Sequence, residues 1–439
     1  MVFAIDIKKN PLMPYHPAEV RKLLKSGKAA IWRKYPFTII LKEEKVTEEQ
    51  HEYRLKIDYG SKYTGLAILG KGTIIDGKVV WLGQLNHRTN IKNRLDTRRA
   101  HRKSRRNRKT RYRKARFLNR TREEGWLPPS LQSRVDNIKT WVRKLRSICP
   151  ITRISYENCK FDTQLMRNAE ISGIEYQQGT LHGYEIREYL LEKFQRKCCY
   201  CGAENLPLQV EHIIPKSRGG SNRVDNLCIA CNPCNKEKGS KTATEFGYPN
   251  IQKQVLKPLR DVAIVNATRW AVYAMLVATG LPIECGSGAR TKMNRIALGL
   301  EKSHCLDACC IGASTLSDLQ FVATNELHIT AMGRGSHSRT NIDKFGFPKA
   351  YLPRQKHFFG FQTGDMVKAV VPKGKNLGTW YGRVACRKTG SFDIKTKSAK
   401  KGGINHKYIV SIQKCDGYDY TIVASSPCLK AGDSATKSW

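Results

Sequence analysis

Cys198-Cys199-Tyr200-Cys201, then Val210-Glu211-His212-Ile213-Ile214-Pro215, then Cys231-Asn232-Pro233-Cys234-Asn235 follow one another within forty residues of the chain. Each Cys-x-x-Cys pair forms a knuckle, and two knuckles of this spacing can place four thiolates tetrahedrally about one zinc ion. Four protein ligands leave no open position. Cys198, Cys201, Cys231 and Cys234 are therefore expected to hold a structural Zn2+ that staples the segment and does no chemistry. The plainer alternative is four free buried thiols, which is how Cys199 and Cys228, lacking partner spacing, are read. The 15 cysteines of the chain are odd in number and scattered through 439 residues. The stretch Met1 to Asn10 carries Asp6 and no long apolar core, so no secretory signal is read there. Reduced thiols in a cytosolic setting are expected rather than a disulfide framework.

Between the knuckles, Glu211 stands beside His212, Gly219-Gly220-Ser221-Asn222 follows, Asn226-Leu227 comes next, and Asn235 lies just past Cys234. A carboxylate beside an imidazole, with an Asn returning from a helix, can hold one Mg2+ by oxygen ligands while the imidazole deprotonates water. This is the ββα-metal layout. A lone Glu-His pair would say little, since a His in a basic chain is usually just a polar contact, but the whole string held by a zinc clip says more.

Outward from this segment, residues 53–69 alternate apolar and polar around Gly60 and Gly65, which predicts paired strands. Asp58 sits in the first of them beside Leu55 and Ile57, and Gly60, Ser61, Thr64 and Gly65 follow it. Residues 151–157 read as a buried strand through Ile154 and Tyr156 that ends at Glu157. On the far side of the Cys-rich segment, His304 and Asp307 are three apart and so share one face of a predicted helix. An unpaired charge in an apolar strand is costly and needs a metal or a partner. Three carboxylates converging from strand ends and a helix can hold two divalent ions about 4 Å apart, which clamp the attacking and leaving oxygens of a phosphodiester. Taken singly, each of these residues is more often structural than catalytic.

The charge balance names a class of partner. Lys plus Arg number 78 against 37 Asp plus Glu, a net charge of +41, so the chain repels itself and needs a polyanion over much of its surface. Nucleic acid comes first. Ordinary hydrophobic content excludes wholesale disorder, a collagen-like fibre and a disulfide miniprotein. From Arg98 to Arg116, 12 of 19 positions are basic and none is acidic. Good helix formers without Pro or Gly predict one long helix, charged all round and lacking an apolar stripe; a disordered basic tail is the alternative. Elsewhere the pattern predicts a helix started by Pro17 with Leu23 and Leu24 on its apolar face, strands at Ala29–Trp32 and Phe37–Leu41, and an amphipathic helix from Gly183 to Arg196. The longest apolar run, Val262 to Thr279, is broken by Asn266 and Arg269 and reads as a buried helix rather than a membrane span. A short strand at Ile283–Cys285 follows. Beyond residue 330, Val367, Ala369 and Val371, then Tyr408, Val410 and Ile412, alternate as half-buried strands of a small twisted β-barrel. Arg334, Arg339, Arg354 and Lys356 interleave there with Phe345, Phe347, Tyr351, Phe358, Phe359 and Phe361, a mixture suited to phosphate contacts and stacking on unpaired bases, although at least half of these aromatics are expected in a core.

Asp58, Glu157 and His304-x-x-Asp307-Ala308 together resemble the three motifs of the RuvC nuclease, an RNase H-like fold split in three pieces. The Glu211-His212 string with its zinc clip resembles an HNH nuclease, with Glu211 where that family usually has Asp. Their order along the chain looks like type II CRISPR effectors, which are much longer. The compact length, Pro11-Leu12-Met13-Pro14, Thr291-Lys292-x-Asn294-Arg295 and Gly364-Asp365-x-Val367 make the chain similar to the IscB family.

That resemblance implies a multidomain α/β endonuclease guided by a noncoding ωRNA that pairs with one strand of a double-stranded DNA target beside a short adjacent motif. The HNH site would cut the guide-paired strand, with His212 as general base, Glu211 and Asn235 on one Mg2+, and Asn226 fixing the loop. The RuvC site would cut the displaced strand, with Asp58, Glu157 and Asp307 on two Mg2+ and His304 activating water or completing the metal shell. Arg94, Arg98, Arg99, Arg102, Arg105, Arg106, Arg108, Lys109, Arg111 and Arg113 would form a bridge helix on guide RNA phosphates, since base pairing reads the sequence and the protein can work by shape and charge. Arg334, Arg339 and Arg354 would contact nucleic acid in the C-terminal region. The implied division is an N-terminal module (1–50), RuvC-I (51–90), bridge helix (91–127), RuvC-II (128–165), linker helix (166–195), HNH (196–245), RuvC-III (246–330) and a C-terminal barrel-like region for RNA scaffold and adjacent motif (331–439). A monomeric protein in a cytoplasmic, nucleoid-associated ribonucleoprotein of a prokaryote, without membrane contact, is expected. Two other readings compete: a homing or nicking nuclease that reads DNA by protein contacts alone, and an RNA-guided DNA-binding regulator without useful cleavage.

Overall fold

A computed structural model describes residues 1–44, 52–71, 77–109, 121–158, 187, 190–191, 193–220, 226–251, 260–323, 325–333, 340–351, 355, 357–396 and 398–424. The chain divides into two compact units, Met1–Asn158 with Ala271–Trp439, and Cys159–Trp270.

The first unit opens with strands β1 (Val2–Ile5), β2 (Pro11–Tyr15), β3 (Ala29–Arg33) and β4 (Thr38–Leu41), ordered β2-β1-β4-β3, and helix α1 (Pro17–Lys25). Pro17 occupies the first turn of α1, where no backbone donor is needed. Val20 is the fully buried anchor of the helix, with Leu23 and Leu24 partly buried beside it.

The central sheet decides where the chemistry can sit. Strands β5 (Glu52–Tyr59), β6 (Tyr63–Lys71) and β7 (Lys78–Asn86) form an antiparallel meander. On the open side of β5 lie β8 (Ile151–Glu157) and then β11 (Ile283–Gly286), both parallel to it. Beyond β7 come β13 (Asn325–Ala331) and β23 (Tyr418–Ala424), and β12 (Gln320–Phe321) also pairs with β7. Helix α3 (Pro129–Arg146) buries Val135, Ile138, Trp141, Val142 and Leu145, a helical stripe, and Trp141 meets Tyr418 edge-on at 5.7 Å. Helices α6 (Gly288–Ala297) and α7 (His304–Cys309) follow β11, and α7 packs Cys305, Leu306, Ala308 and Cys309 against Ala67, Leu69, Val79 and Leu82.

Helix α2 spans Ile91–Asn107 and has no buried residue. The helix expected over Arg98–Arg116 runs as far as Asn107: Arg108 and Lys109 lie in a turn, and 110–120 fall outside the described residues.

In the second unit, β9 (Leu208–His212) and β10 (Leu227–Cys231) pair antiparallel and α4 (Asn232–Lys238) follows directly. Helix α5 (Arg260–Val277) runs through the boundary between the units. The buried helix expected there is only half so: Thr268, Val272 and Leu276 are fully buried, whereas Trp270 and Val277 are at least half exposed. The helix expected over Gly183–Arg196 lies mostly outside the described residues. No helix among the described residues is long and apolar enough to cross a membrane.

Toward the C-terminus, hairpins β14 (Thr340–Ile342) with β15 (Pro348–Tyr351) and β16 (His357–Phe358) with β17 (Phe361–Gln362) precede a five-stranded antiparallel sheet. Its order is β21 (Lys400–Asn405), β20 (Ser391–Lys395), β19 (Gly378–Ala385), β18 (Met366–Val371), β22 (Ile409–Gln413). Val367, Ala369 and Val371 face its core with Phe392 and Ile394, as their alternation predicts. Tyr408, Val410 and Ile412 do not share that face. Tyr408 lies in a 3-10 turn at His406–Tyr408, capped by Asn405, and β22 begins after it with Ile409 buried opposite Ala369 and Val410 65% exposed.

Candidate active sites

Asp58 ends the apolar half of β5 and is buried at 8% exposure. The β5–β8 register, Ile57 opposite Tyr156, sets Glu157 on the neighbouring strand end beside it. Both acids thus stand at the carboxyl ends of two adjacent parallel strands, the end of the strands at which open α/β sheets bind ligands. Ser303 caps α7 by accepting from the Leu306 amide at 3.1 Å, and His304 Nδ1 lies 2.8 Å from Asp58 Oδ2. Asp307, one turn on, has Arg295 Nε 2.8 Å from its Oδ1. Burial first, and then the charge of Asp58, push the Asp307 carboxyl up to about 6, against the pull of Arg295. A carboxyl raised by burial and by the charge of a second carboxylate suits a divalent cation, which would relieve the repulsion.

Gly65 explains the closeness of helix and strand. It pairs with Asp58 across β5–β6, and a Cβ placed on it would come 1.7 Å from the His304 carbonyl oxygen. Only a glycine lets the start of α7 settle onto the sheet there. In the turn between β5 and β6, Arg134 donates to the Ser61 carbonyl at 2.7 Å, and the buried Thr64 at the start of β6 bonds His87 Nε2 at 2.8 Å. Burial, reinforced by Arg134, holds His87 neutral with its pKa down at about 3.

Several residues around this site carry no motif. Arg54 and Lys56 share the face of β5 with Asp58. Arg54 donates to Glu284 at 2.7 Å, and Glu284 also accepts from Ser155 Oγ at 2.6 Å and from the Ser314 amide at 2.9 Å. Burial alone would raise the Glu284 pKa, but the hydrogen bonds from Ser155 and Ser314 and the Arg54 charge hold it at about 2. Lys56 is 1% exposed, and burial brings its pKa down to about 8. Asn294 and Arg295, which stand in the sequence only as part of a family-like string, have structural partners: Asn294 donates to the carbonyls of Cys310 and Gly312, and Arg295 meets Asp307. The one sequence signal for the set is the i, i+2 spacing of Arg54, Lys56 and Asp58 in a strand.

In the second unit, the sulfur atoms of Cys198, Cys201, Cys231 and Cys234 all lie within 4.8 Å of one another. Tetrahedral zinc with bonds of about 2.3 Å holds its sulfurs about 3.8 Å apart, and Cys201 Sγ to Cys231 Sγ is 3.7 Å, so the four thiols fit that ion. Among the described residues this is the one group of three or more candidate ligands gathered so tightly. Asp58, His304 and Asp307 are brought together with Glu157 on the adjacent strand, but not within that limit. Cys199 and Cys228 pack in the core of the unit, Cys228 fully buried and Cys199 partly.

Asn226 bridges the loop between β9 and β10: its Oδ1 accepts from the Ile214 amide and its Nδ2 donates to the Ile214 carbonyl, both at 2.9 Å. Gly220 packs against the same carbonyl, where a Cβ would come within 1.7 Å. Glu211 and His212 end β9. Helix α4 lays Asn235 and Lys238, three apart, along that strand: Asn235 Nδ2 donates to Gln209 Oε1 at 3.0 Å, and Lys238 Nζ donates to Glu211 Oε1 at 2.8 Å and to the His212 carbonyl at 2.7 Å. The Lys238 side chain is fully buried, and its pairing with Glu211 is absent from the sequence reading. A buried lysine at the polar end of a short helix leaves no periodic signal.

Arg94, Arg98, Arg99, Arg102, Arg105, Arg106, Arg108 and Lys109 are all exposed. Arg108 stacks 5.0 Å over the Phe347 ring, in a turn that Asp343 holds by accepting from the Phe345 and Phe347 amides. Phe358 and Phe361 pack against the core of the five-stranded sheet, while Tyr351 is 81% exposed. Arg111, Arg113, Arg334, Arg339, Arg354 and Lys356 lie outside the described residues.

Residues 2–179 match the family described as RRXRR protein, and residues 198–249 match that described as HNH endonuclease. The chain therefore carries an HNH endonuclease domain in its second unit. The two matches, in this order, fit an IscB-like HNH/RuvC nuclease. No curated protein matches the chain. Among solved structures it is similar to Streptococcus thermophilus Cas9 in complex with the AGAA PAM, at 14% identity and a TM-score of 0.22 over 58% of this chain and 32% of that one. It is also similar to the type II-C Cas9 enzyme from Actinomyces naeslundii, at 13% identity and a TM-score of 0.24 over 60% of this chain and 59% of that one. The chain thus spans less than two thirds of the length of either protein.

Proposed function

We propose that the chain is an RNA-guided DNA endonuclease with two separate cutting sites, similar to IscB. The observation that carries this reading is the convergence of Asp58, Glu157, His304 and Asp307 at one end of the adjacent strands β5 and β8 in a chain that also matches an HNH endonuclease in its other unit. The order β7-β6-β5-β8-β11, an antiparallel meander followed by two parallel strands, supports an RNase H-like core interrupted by α2 and by the second unit. The five-stranded sheet serves as the barrel-like region that grips the RNA scaffold and reads the adjacent motif.

Mg2+ bound at each site would polarise the phosphate and lower the pKa of its water, one ion at the HNH site and two at the carboxylate site. Asp58, Glu157 and Asp307 would hold the pair, with His304 oriented by Asp58 to take a proton from water or to complete the shell. At the other site His212 takes the proton from water, Asn226 keeps the loop that carries it in shape, and Glu211 and Asn235 supply oxygen donors. Lys238 already balances Glu211 there, so Glu211 would hold the ion through the oxygen that Lys238 does not take. The exposed cations of α2 would lie along guide RNA phosphates, where charge and helical shape suffice.

The strand split tests the reading. On a target labelled on both strands, Asp58→Ala is expected to leave a product nicked only on the guide-paired strand, and His212→Ala one nicked only on the displaced strand. Either variant cutting both strands at normal rates removes the residue it lacks from the chemistry.

A further inference from the structure

One face of β5 is polar from end to end, with Arg54, Lys56 and Asp58 alternating with the buried Tyr53, Leu55, Ile57 and Tyr59. Asp58 meets the first residue of α7 through His304. Lys56 meets the other end. Its ammonium donates to the carbonyls of Cys309 at 3.1 Å and Ile311 at 2.9 Å and to Thr315 Oγ1 at 2.9 Å, a full set of acceptors for three N–H groups in a buried place. The last carbonyls of a helix have no partner within it, so they need donors of this kind. The lengths agree: two residues advance about 7 Å along a strand and the five steps of α-helix from His304 to Cys309 rise about 7.5 Å, so a helix laid antiparallel along β5 presents one end to each side chain. Asn294 takes the two carbonyls that Lys56 leaves, those of Cys310 at 2.8 Å and Gly312 at 3.0 Å.

We propose that Lys56 is a positioning residue for the carboxylate site: by fixing the C-terminal end of α7 to the strand that carries Asp58, it sets where His304 and Asp307 stand for binding a divalent cation. The proposal rests on the two-site reading for its consequence in cleavage, and on its own contacts for its consequence in α7.

Lys56→Met keeps the apolar stem and removes the donors and the charge. Hydrogen exchange at the amides of residues 303–315 is expected to rise. In calorimetric titration with Mn2+, the part of the binding that Asp58→Ala abolishes is expected to weaken about tenfold or more. Displaced-strand nicking is expected to fall about a hundredfold, as a displacement on the ångström scale does, while guide-paired nicking by the same molecules stays within about twofold. Lys56→Gln, which keeps two donors, is expected to fall between and serves in place of a methionine variant that does not fold. Unchanged Mn2+ binding at the Asp58-dependent site overturns the proposal, as does an equal loss of nicking on both strands, which marks a purely structural lysine. A wild-type protein that cuts neither strand refutes the two-site reading instead, and the exchange and Mn2+ titrations still decide the role of Lys56.

Discussion

Replacing Gly65 by alanine adds one methyl group where the structure leaves no room for it. The new Cβ would stand 1.7 Å from the His304 carbonyl oxygen, 2.3 Å from its carbon and 3.1 Å from the Cys305 nitrogen, all backbone atoms that no rotamer change can move. To reach even 3.0 Å, the start of α7 must retreat by about 1.3 Å from β6. Forcing a methyl into a packed site costs about 1–3 kcal/mol. On the two-site reading the cost in rate is expected to be larger, because the retreat separates His304 from Asp58, now 2.8 Å apart, and carries Asp307 with it. A shift of about 1 Å in a positioned group can cost about a hundredfold in rate. Single-turnover nicking of end-labelled target, loaded with guide and saturating Mg2+, should show displaced-strand cleavage falling by about that factor, with guide-paired cleavage by the same sample unchanged. Displaced-strand cleavage at the wild-type rate, in a variant shown to carry alanine, refutes the coupling of Gly65 to the carboxylate site.

Removing the metal from Cys198, Cys201, Cys231 and Cys234 with a chelator should expose residues 198–240 to protease before any other segment; an unchanged digestion pattern after proven metal loss counts against the clip. Lys238→Met removes the buried cation that pairs with the part-buried Glu211, a change expected to cost about 1–3 kcal/mol, since solvent reaches the carboxylate left behind. It should lower the unfolding midpoint of the second unit in urea and abolish guide-paired cutting, and a wild-type midpoint contradicts the pairing. Glu284, held at about 2 in the folded chain, contributes stability that is complete above its ordinary carboxylate pKa and is lost as pH falls toward 2. Glu284→Gln should therefore be less stable than wild type at pH 6 and converge on it in acid; a constant gap down to pH 2 contradicts the assignment.

Much of the central sheet could be read in the chain because its signals are local. The alternation about Gly60 and Gly65 lies within one hairpin, the apolar run into Glu157 within one strand and the spacing of His304 and Asp307 within one helix, and these strands and this helix stand where the patterns put them. The four thiols were legible for the same reason, since each knuckle is a short motif. The supports were not legible. Lys56 reads as an exposed cation in a strand until α7 is laid over it, and Glu284 as an ordinary surface acid until Arg54, Ser155 and Ser314 close around it. Gly65 is recognisable as a glycine between strands, but its reason, the carbonyl of His304, comes from a distant part of the chain. Tyr408 shows the converse: the alternation through Tyr408, Val410 and Ile412 is visible in the chain, but which face it lands on is set by the pairing of Ile409 with Ala369 on β18.

The most direct measurement is to purify the protein expressed in its own genomic context, sequence any RNA that survives a high-salt wash, and challenge the complex with a plasmid library in Mg2+. One discrete RNA carrying a variable guide, with cleavage only at complementary sites beside a fixed short motif, is the expected result. Cutting at one fixed sequence by RNA-free protein would contradict RNA guidance and assign recognition to the protein itself.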